Sequence, residues 1–547
     1  MSDRAAARSV ALPHEVKSSS VMPETIRTLA DVLSVHSARR SAALALEYEG
    51  RKTTFAELAQ AAGKAAAGLR AAGVGRGDRV AVCSQNSDVF VELLFACGML
   101  GAILAPINWR LTAHEVDYLL SDCEPTLVFV AAPFLATVST ALKTAGESGP
   151  DVIGLDLPDA PGEGYRQWRD AFSPISPSPV DPEDPALILY TSGTTGHPKG
   201  ALLSHRALLK LREFEDQGPE WLSWRPHDIC LVSMPLFHIG GIRHAVSALY
   251  FGATVLVIPQ FEAGRVLEIL SQRAVSKLFI VPSALQMLVQ HPLARETDTS
   301  RLKFVMYGAS PISLALLEEA IGILRCGFIQ AYGSTETAGG VFALAPESHD
   351  VSNPALMTSA GRAVAGVDVK ILTPEGRELG HGEIGEVVIC SPSNMSGYWR
   401  LPEATAEVLD ADGWVRTGDA GYLDEDGYLF LRDRIKDMII SGGENVYPVE
   451  VENALASHPD VADVAVVGVP SQRWGEEVAA VVVLREHARA SAEDLIAWTR
   501  QHVAAYKTPR HLRFLPDLPR NANGKVLKRE LRRQLAPESV PPFPARS

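Results

Sequence analysis

The run Leu189-Tyr190-Thr191-Ser192-Gly193-Thr194-Thr195-Gly196-His197-Pro198-Lys199-Gly200 sets hydroxyls, glycines and one lysine directly behind an apolar stretch. That combination suits phosphate. Gly193 and Gly196 let backbone N–H groups approach a polyphosphate, while the hydroxyls of Thr191, Ser192, Thr194 and Thr195 and the Lys199 ammonium donate to its oxygens. A Walker loop requires Gly-Lys followed directly by Ser or Thr, whereas Pro198 precedes this lysine and Gly200 follows it. A kinase or GTPase of that type is disfavoured. A plain Ser/Thr/Gly surface turn is the bland reading, and the closing Pro-Lys-Gly weighs against it.

Five further clusters carry groups of the same kind. Gln330-Ala331-Tyr332-Gly333-Ser334-Thr335-Glu336 follows a strand-like run, where the carboxyl ends of parallel strands build binding sites. The Glu336 carboxylate suits a Mg2+ shared with substrate phosphates. Gly308-Ala309-Ser310 is another candidate loop. Thr417-Gly418-Asp419 and Arg432-Asp433-Arg434 offer the carboxylate and guanidinium groups that hold ribose hydroxyls. Pro519-Arg520-Asn521-Ala522-Asn523-Gly524-Lys525 sets a lysine on a turn ahead of a helix bearing Lys528, Arg529, Arg532 and Arg533. Each alone also reads as a helix cap, a turn residue, a surface ion pair or a solvated basic helix.

These groups need elements to position them. Ala186 to Tyr190 reads as a buried strand ending at the phosphate loop, and Ser204 can cap a helix beginning at His205. From Val80 onward strand-like and helical runs alternate, which predicts parallel sheets covered by helices. Thr112 with Glu115 forms a capping box. A second series places strands near Ile229–Ser233, Ala253–Ile258, Lys277–Val281, Lys303–Tyr307 and Gly327–Gln330. Short runs broken by Pro374-Glu375-Gly376, Gly380, Gly382, Gly385 and Gly413 predict a β-rich subdomain. After Arg434 the pattern changes to strands at Val461–Val469 and Val478–Leu484 with helices at Val449–Ser457 and Ala492–Val503. The expected fold is α/β: a large N-terminal domain of helix-covered sheets with a β-rich subdomain, and a small mobile α+β C-terminal domain. The boundaries expected are a loose tail over 1–24, a large domain over 25–432 and a C-terminal domain over 433–547.

Composition narrows the class. A chain of 547 residues is long enough for two or more domains. Its formal charge of -14 argues against a nucleic-acid surface, which is usually basic. The six cysteines are scattered without metal-like spacing and read as reduced core residues of a cytoplasmic enzyme. Residues 1–24 lack the continuous apolar segment of a secretion signal. The most apolar stretch, Leu93 to Ile107, includes glycines and a proline and reads as a buried helix running into a strand rather than a transmembrane segment.

Together these motifs resemble the adenylate-forming, or AMP-binding, superfamily, which includes acyl-CoA synthetases, peptide-synthetase adenylation domains and beetle luciferases. The resemblance covers most of the chain and implies activation of a carboxylate by ATP. It implies that Tyr332 stacks on adenine, with Gln330, Ala331, Gly333 and the Gly308-Ala309-Ser310 loop around the nucleotide. Thr335 then contacts the α-phosphate, Glu336 helps hold Mg2+, and Asp419 and Arg434 hold the ribose. Lys525 bridges the substrate carboxylate and the α-phosphate, and Lys436 is the hinge on which the small domain pivots between half-reactions. Val232-Ser233-Met234-Pro235-Leu236-Phe237-His238-Ile239-Gly240-Gly241 resembles the segment lining the acyl pocket. His238 and Ile239 are its candidates, and Gly240, Gly241, Gly339 and Gly340 are expected to leave space for a sizeable acyl group. Ser441-Gly442-Gly443-Glu444 resembles the loop beside the pantetheine thiol of coenzyme A, supported by Trp474.

The expected activity is that of an ATP-dependent acyl-CoA synthetase using Mg2+ and coenzyme A, with a medium- to long-chain fatty acid as leading substrate. An aryl or alicyclic acid is the alternative. Luciferase-like oxygenation, a stand-alone adenylation domain and a non-catalytic nucleotide-binding module stand further off. A non-catalytic module would be expected to lack one of Lys199, Glu336, Asp419, Arg434 or Lys525, and all five are present. The expected partners are the acid, ATP and CoA, with no nucleic acid; a homodimer is left open.

Overall fold

A computed structural model describes residues 26–143, 149–155, 164–191, 198–434, 437–441, 444–471, 473–520 and 526–535. The chain divides into two compact units. The first takes residues 1–309, 320–369 and 389–416, and the second 310–319, 370–388 and 417–547.

Two large sheets organise the first unit. In the nine-stranded sheet the order is Arg362–Ala363, Gly339–Leu344, Gly327–Ser334, Phe304–Gly308, Lys277–Ile280, Ile229–Val232, Thr254–Val257, Leu44–Tyr48 and Arg51–Thr54. Its middle strands are parallel and its outer strands antiparallel. The seven-stranded sheet runs Gly397–Tyr398, Lys199–Ser204, Pro185–Thr191, Ile103–Ile107, Arg79–Cys83, Leu127–Ala131 and Asp151–Leu155. Ile103–Ile107 and Leu127–Ala131 are buried at every position, as parallel strands covered on both faces must be.

The stretch expected to be a buried helix running into a strand is one. All 13 residues of the helix Asp88–Leu100 are buried, Ser87 caps it, and the chain turns at Gly101 with φ 70° into Ile103–Ile107. Its two buried carboxylates are neutralised in place. Arg169 reaches Glu92 at 2.8 Å, and Arg51 and Arg166 reach Asp88 at 3.0 and 2.9 Å. The capping box at Thr112 is formed, with Glu115 reaching back to it. Among the described residues no helix is long and apolar enough to cross a membrane.

A four-stranded sheet follows in the order Asp368–Leu372, Gly385–Cys390, Trp414–Leu423 and Leu429–Arg434. After it comes a sheet of Glu444–Val446, Ile439–Ser441, Gly475–Leu484 and Val461–Ser471, with His511–Phe514 pairing parallel to Gly475–Leu484. Helices cover both faces. Val451, Leu455 and Leu495 pack with Val466, Val478 and Val482, while Leu518 and Leu531 pack with Val467, Val469 and Val481. That two-sided burial is why these strands read as continuous valine runs.

Two local expectations need correction. Lys199 does not lie on a loop leading straight to the helix at His205. It opens the strand Lys199–Ser204, antiparallel to Pro185–Thr191, and the helix follows that strand with Ser204 as its cap. Nor does the strand at Gly327 end at Gln330. It continues to Ser334 because Gly339–Leu344 returns antiparallel beside it.

Candidate active site

The first unit gathers residues of the first two motifs around one hairpin. Thr191 and Lys199 are cross-strand partners, as are Tyr190 and Gly200. A Cβ on Gly200 would lie 2.7 Å from Ile188 Cγ2, so the hairpin closes on a glycine. Ser192, Gly193, Thr194, Thr195 and Gly196 lie outside the described residues. The short strand Gly397–Tyr398 pairs with the outer side of this hairpin at Leu202 and Ala201, and Trp399 N–H donates to Gly200 O at 2.7 Å. That pairing delivers Tyr398. Its ring lies 5.3 Å from Lys199 Nζ, and its hydroxyl donates to Glu336 Oε1 at 2.9 Å. Met395 N–H donates to the Glu336 carbonyl at 2.7 Å. One segment thus ties the lysine of the first motif to the glutamate of the second.

Glu336 itself sits on a turn built from buried hydrogen bonds. The fully buried Thr337 hydroxyl accepts from Ser334 N–H at 2.9 Å and donates to Gly339 O at 2.9 Å. Ser393 donates to Thr337 O at 2.9 Å, and Ala338 N–H closes the turn on Thr335 O at 3.0 Å. Just before it, Tyr332 is Phe342's cross-strand partner, their rings 5.8 Å apart. Gly308 pairs with Ala331, and a Cβ there would lie 2.2 Å from Ala331 O. Ala309, at φ 70°, holds a backbone conformation that costs a residue with a β-carbon about 1–3 kcal/mol.

Among the described residues no group of three or more His, Cys, Asp or Glu side chains could hold a metal ion. A Mg2+ held through one carboxylate and substrate phosphates needs no such cage, so the half-buried, hydrogen-bonded Glu336 fits that role. Glu336→Gln is expected to lower adenylation and raise the Mg2+ concentration for half-maximal rate. Tyr398→Phe, which removes a supporting hydroxyl, should shift the Mg2+ dependence the same way by about tenfold. Mg2+ titrations unchanged in both variants would remove this pair from the site.

His238 precedes the helix Ile239–Tyr250. Its ring packs 4.4 Å from Phe237, and Nε2 is enclosed with no hydrogen-bond partner among the described residues. Burial, with Arg110 adding to it, pulls its pKa down to about 3. The imidazole is therefore neutral through the working range. Because its folded pKa lies below the unfolded value, the unfolded chain binds the extra proton first, so stability falls as pH drops from about 6.5 toward 3. The expected kinetic signature is a pH profile of adenylation between about pH 5 and 8 whose shape is the same in wild type and His238→Gln. Loss of an acidic limb in the variant would contradict this.

The glycines beside His238 serve packing. A Cβ on Gly241 would lie 2.3 Å from Pro235 O, on Gly240 2.5 Å from the Phe279 ring, on Gly339 2.6 Å from Arg243 Cδ and on Gly340 3.0 Å from Ala331 Cβ. At these four positions the protein's own atoms stand where a side chain would project. Ile239 stands in the first turn of the helix, partly buried.

In the second unit Asp419 and Arg434 are cross-strand partners. Asp419 N–H is held by Thr417 Oγ1 at 3.1 Å, and Thr417 in turn donates to Val387 O at 2.7 Å. Ser441 pairs with Glu444 on one side and with Gly475 on the other, so the two segments read as a thiol site are neighbours. Trp474 lies between Arg473 and Arg510, whose guanidinium carbons stand 4.8 and 5.0 Å from its ring. Lys436, Gly442, Gly443 and Lys525 lie outside the described residues. Arg520 and Val526 pair across the segment that contains Lys525. Lys528 reaches Glu452 at 3.0 Å and Arg532 reaches Asp437 at 2.6 Å, so that helix is tied down through part of its basic face.

Sequence reasoning missed Tyr398 and Thr337. Gly397-Tyr398-Trp399-Arg400 was visible as an aromatic run, but nothing local says that it pairs with residues two hundred positions earlier. Thr337 is adjacent to a motif that was read, and its burial follows only from the hairpin.

Known proteins resemble this chain over most of its length. Residues 33–399 match the model of the AMP-binding enzyme family, and residues 450–525 match that of the AMP-binding enzyme C-terminal domain. A fatty acid–[acyl-carrier-protein] ligase, ScoC, of Streptomyces coeruleorubidus is 41% identical over 93% of this chain and 96% of its own length. A feruloyl-CoA synthase of an Amycolatopsis species is 39% identical over 90% of this chain and 96% of its own. Among solved structures, ATP-bound MatB from Rhodopseudomonas palustris superposes with a TM-score of 0.84 at 32% identity, covering 92% of this chain and 98% of that one. A lysine hairpin and a glutamate turn held together by Tyr398, in a chain matched by both family models, make this protein a member of the AMP-binding enzyme family, an AMP-forming acid–thiol ligase.

Proposed function

We propose that the protein activates an apolar carboxylic acid as its acyl-adenylate and transfers the acyl group to the thiol of coenzyme A. The observation that carries this reading is the Tyr398 bridge between Lys199 and Glu336. It sets a cation and a carboxylate beside one turn, as a metal-bound triphosphate requires. In the first half-reaction the acid's carboxylate oxygen attacks the α-phosphorus and pyrophosphate leaves. Lys199 holds the outer phosphates, Thr335 the α-phosphate, Tyr332 the adenine, and Asp419 and Arg434 the ribose. Mg2+ bound through Glu336 would offset phosphate charge. Lys525 steadies the charge that develops between carboxylate and α-phosphate. In the second, the thiol sulfur attacks the acyl carbon and AMP leaves with the bonding electron pair, with Gly442, Gly443, Glu444 and Trp474 beside the thiol arm. We assign a functional boundary at residue 433 and a pivot at Lys436, where a few dihedral angles can absorb a domain motion. The six free cysteines fit a reducing, cytoplasmic setting.

For the acid, the 41%-identical relative is a fatty acid ligase, and a medium- to long-chain fatty acid is our first choice. An aryl or alicyclic acid is the alternative, and the aryl case is supported by the 39%-identical relative that is a feruloyl-CoA synthase. The carrier-protein thiol named for the fatty acid ligase is the second choice of acceptor. The test is pyrophosphate release over a panel of aliphatic, aryl and alicyclic acids, with no thiol, with CoA, and with a phosphopantetheinylated carrier protein. Turnover with CoA and an apolar acid supports the reading, and turnover only with the carrier protein overturns the acceptor.

A further inference from the structure

Behind the Thr335–Gly339 turn the first unit encloses a charged triad in which the Arg243 side chain is 18% exposed. Glu215 Oε1 accepts from Arg212 at 3.0 Å and from Arg243 at 3.2 Å, and Ser247 Oγ lies 3.4 Å from Oε2. Arg212 and Glu215 are 2% and 5% exposed. Two guanidinium groups on one carboxylate leave one positive charge in excess, and removing such a charge from water is costly. Burial, with Arg212 adding to it, lowers Arg243 to about 9, so it remains a cation at neutral pH. Arg212 alone would neutralise Glu215. Packing of the two helices His205–Asp216 and Ile239–Tyr250 therefore does not account for the second guanidinium.

Its other contacts run to the turn. Arg243 Nη1 donates to the Ala338 carbonyl at 3.3 Å, and its Cδ stands 2.6 Å from where a Gly339 Cβ would be. Ala338 has φ 49° and Gly339 φ 100°, so two consecutive residues occupy the left-handed region. Glycine does so freely, but alanine at such a position costs about 1–2 kcal/mol. Conformations of this kind persist where the surroundings hold them. Ala338 is 3% exposed, and its N–H closes the turn that displays Thr335 and Glu336.

We propose that Arg243 is a positioning residue for adenylation: anchored on Glu215, it holds the Ala338 carbonyl and so keeps the Thr335–Glu336 turn in its left-handed, phosphate-facing form. The inference rests on the reading of Thr335 and Glu336 given above. Arg243 acts through the turn. Lysine could keep the pair with Glu215 but cannot span Glu215 and Ala338 O together, because it lacks the fork.

Arg243→Met keeps an unbranched apolar stem and leaves Arg212 and Glu215 as a one-to-one pair, so the fold should survive. Acid-dependent pyrophosphate release should fall about tenfold or more with a raised Mg2+ requirement, while thioester formation from supplied acyl-adenylate stays within about twofold. Adding Ala338→Gly should return most of the lost adenylation, because glycine adopts the turn's conformation without help. A role confined to helix packing would give no such rescue. Should Arg243→Met fail to fold, Arg243→Lys carries the test, with a smaller loss and the same rescue. Wild-type adenylation in Arg243→Met, equal loss of both half-reactions, or no rescue by Ala338→Gly would each overturn the proposal. Glu336→Gln separates this from the underlying reading. A harmless Glu336→Gln removes the turn from the site, whereas a harmful one without rescue removes only Arg243.

Discussion

Lys525→Ala is expected to lower acyl-adenylate formation by about a hundredfold to a thousandfold, the scale of losing one preorganised transition-state donor. Thioester formation from supplied acyl-adenylate and CoA should be largely spared. The asymmetry follows from charge. Only adenylation brings an anionic carboxylate against an α-phosphate that is gaining negative charge, so only that step needs a cation between them. In the proposed assignment Lys525, at the end of the motif Pro519-Arg520-Asn521-Ala522-Asn523-Gly524-Lys525, supplies it. The assay gives the variant ATP plus acid in one arm and synthetic acyl-adenylate plus CoA in the other. Equal loss in both arms, with the variant folded by circular dichroism, would refute this assignment of Lys525.

The second large effect is structural in origin and catalytic in outcome. A Cβ on Gly333 would lie 2.0 Å from Gly339 O, 2.7 Å from Gly339 C and 3.0 Å from Gly340 Cα. All three are backbone atoms, so no side-chain rotation relieves the clash. The two strands would have to part at the point where Tyr332 and the Thr335–Glu336 turn are presented. Gly333→Ala should therefore cost about 3 kcal/mol or more, at or beyond the upper end for overpacked sites, and abolish adenylation. Gly154→Ala is the control, since nothing lies within 4 Å of its added Cβ. Denaturant unfolding of the two variants gives the comparison, and a Gly333→Ala protein as stable as Gly154→Ala would contradict the hairpin geometry.

How much was legible in the sequence depended on whether a feature was local. The parallel strands were, because burial on both faces leaves continuous apolar runs such as Leu127–Ala131. So was the buried helix Asp88–Leu100, whose caps Ser87 and Gly101 bracket it. The Lys199–Ser204 strand was obscured because Lys199-Gly200 reads as a loop, and its strand character comes from pairing with Pro185–Thr191 and Gly397–Tyr398. The motifs pointed to Lys199, Tyr332 and Glu336, but what joins them did not show. Tyr398, Thr337 and Arg243 act through contacts between distant segments, which no local period encodes. The glycines beside His238 mark the reverse case. Their absence of side chains reads as room for a ligand, while the backbone of Pro235 and the rings and stems of Phe279 and Arg243 stand where side chains would project.

The most direct measurement of the central claim is a single turnover with enzyme in excess over α-32P-labelled ATP, the preferred acid present and thiol withheld, followed by a CoA chase. The expected result is a labelled acyl-adenylate that accumulates on the enzyme with one pyrophosphate released, and that the chase converts to equal amounts of AMP and acyl-CoA. Formation of labelled ADP with inorganic phosphate, or acyl-CoA without a prior acyl-adenylate, would contradict it.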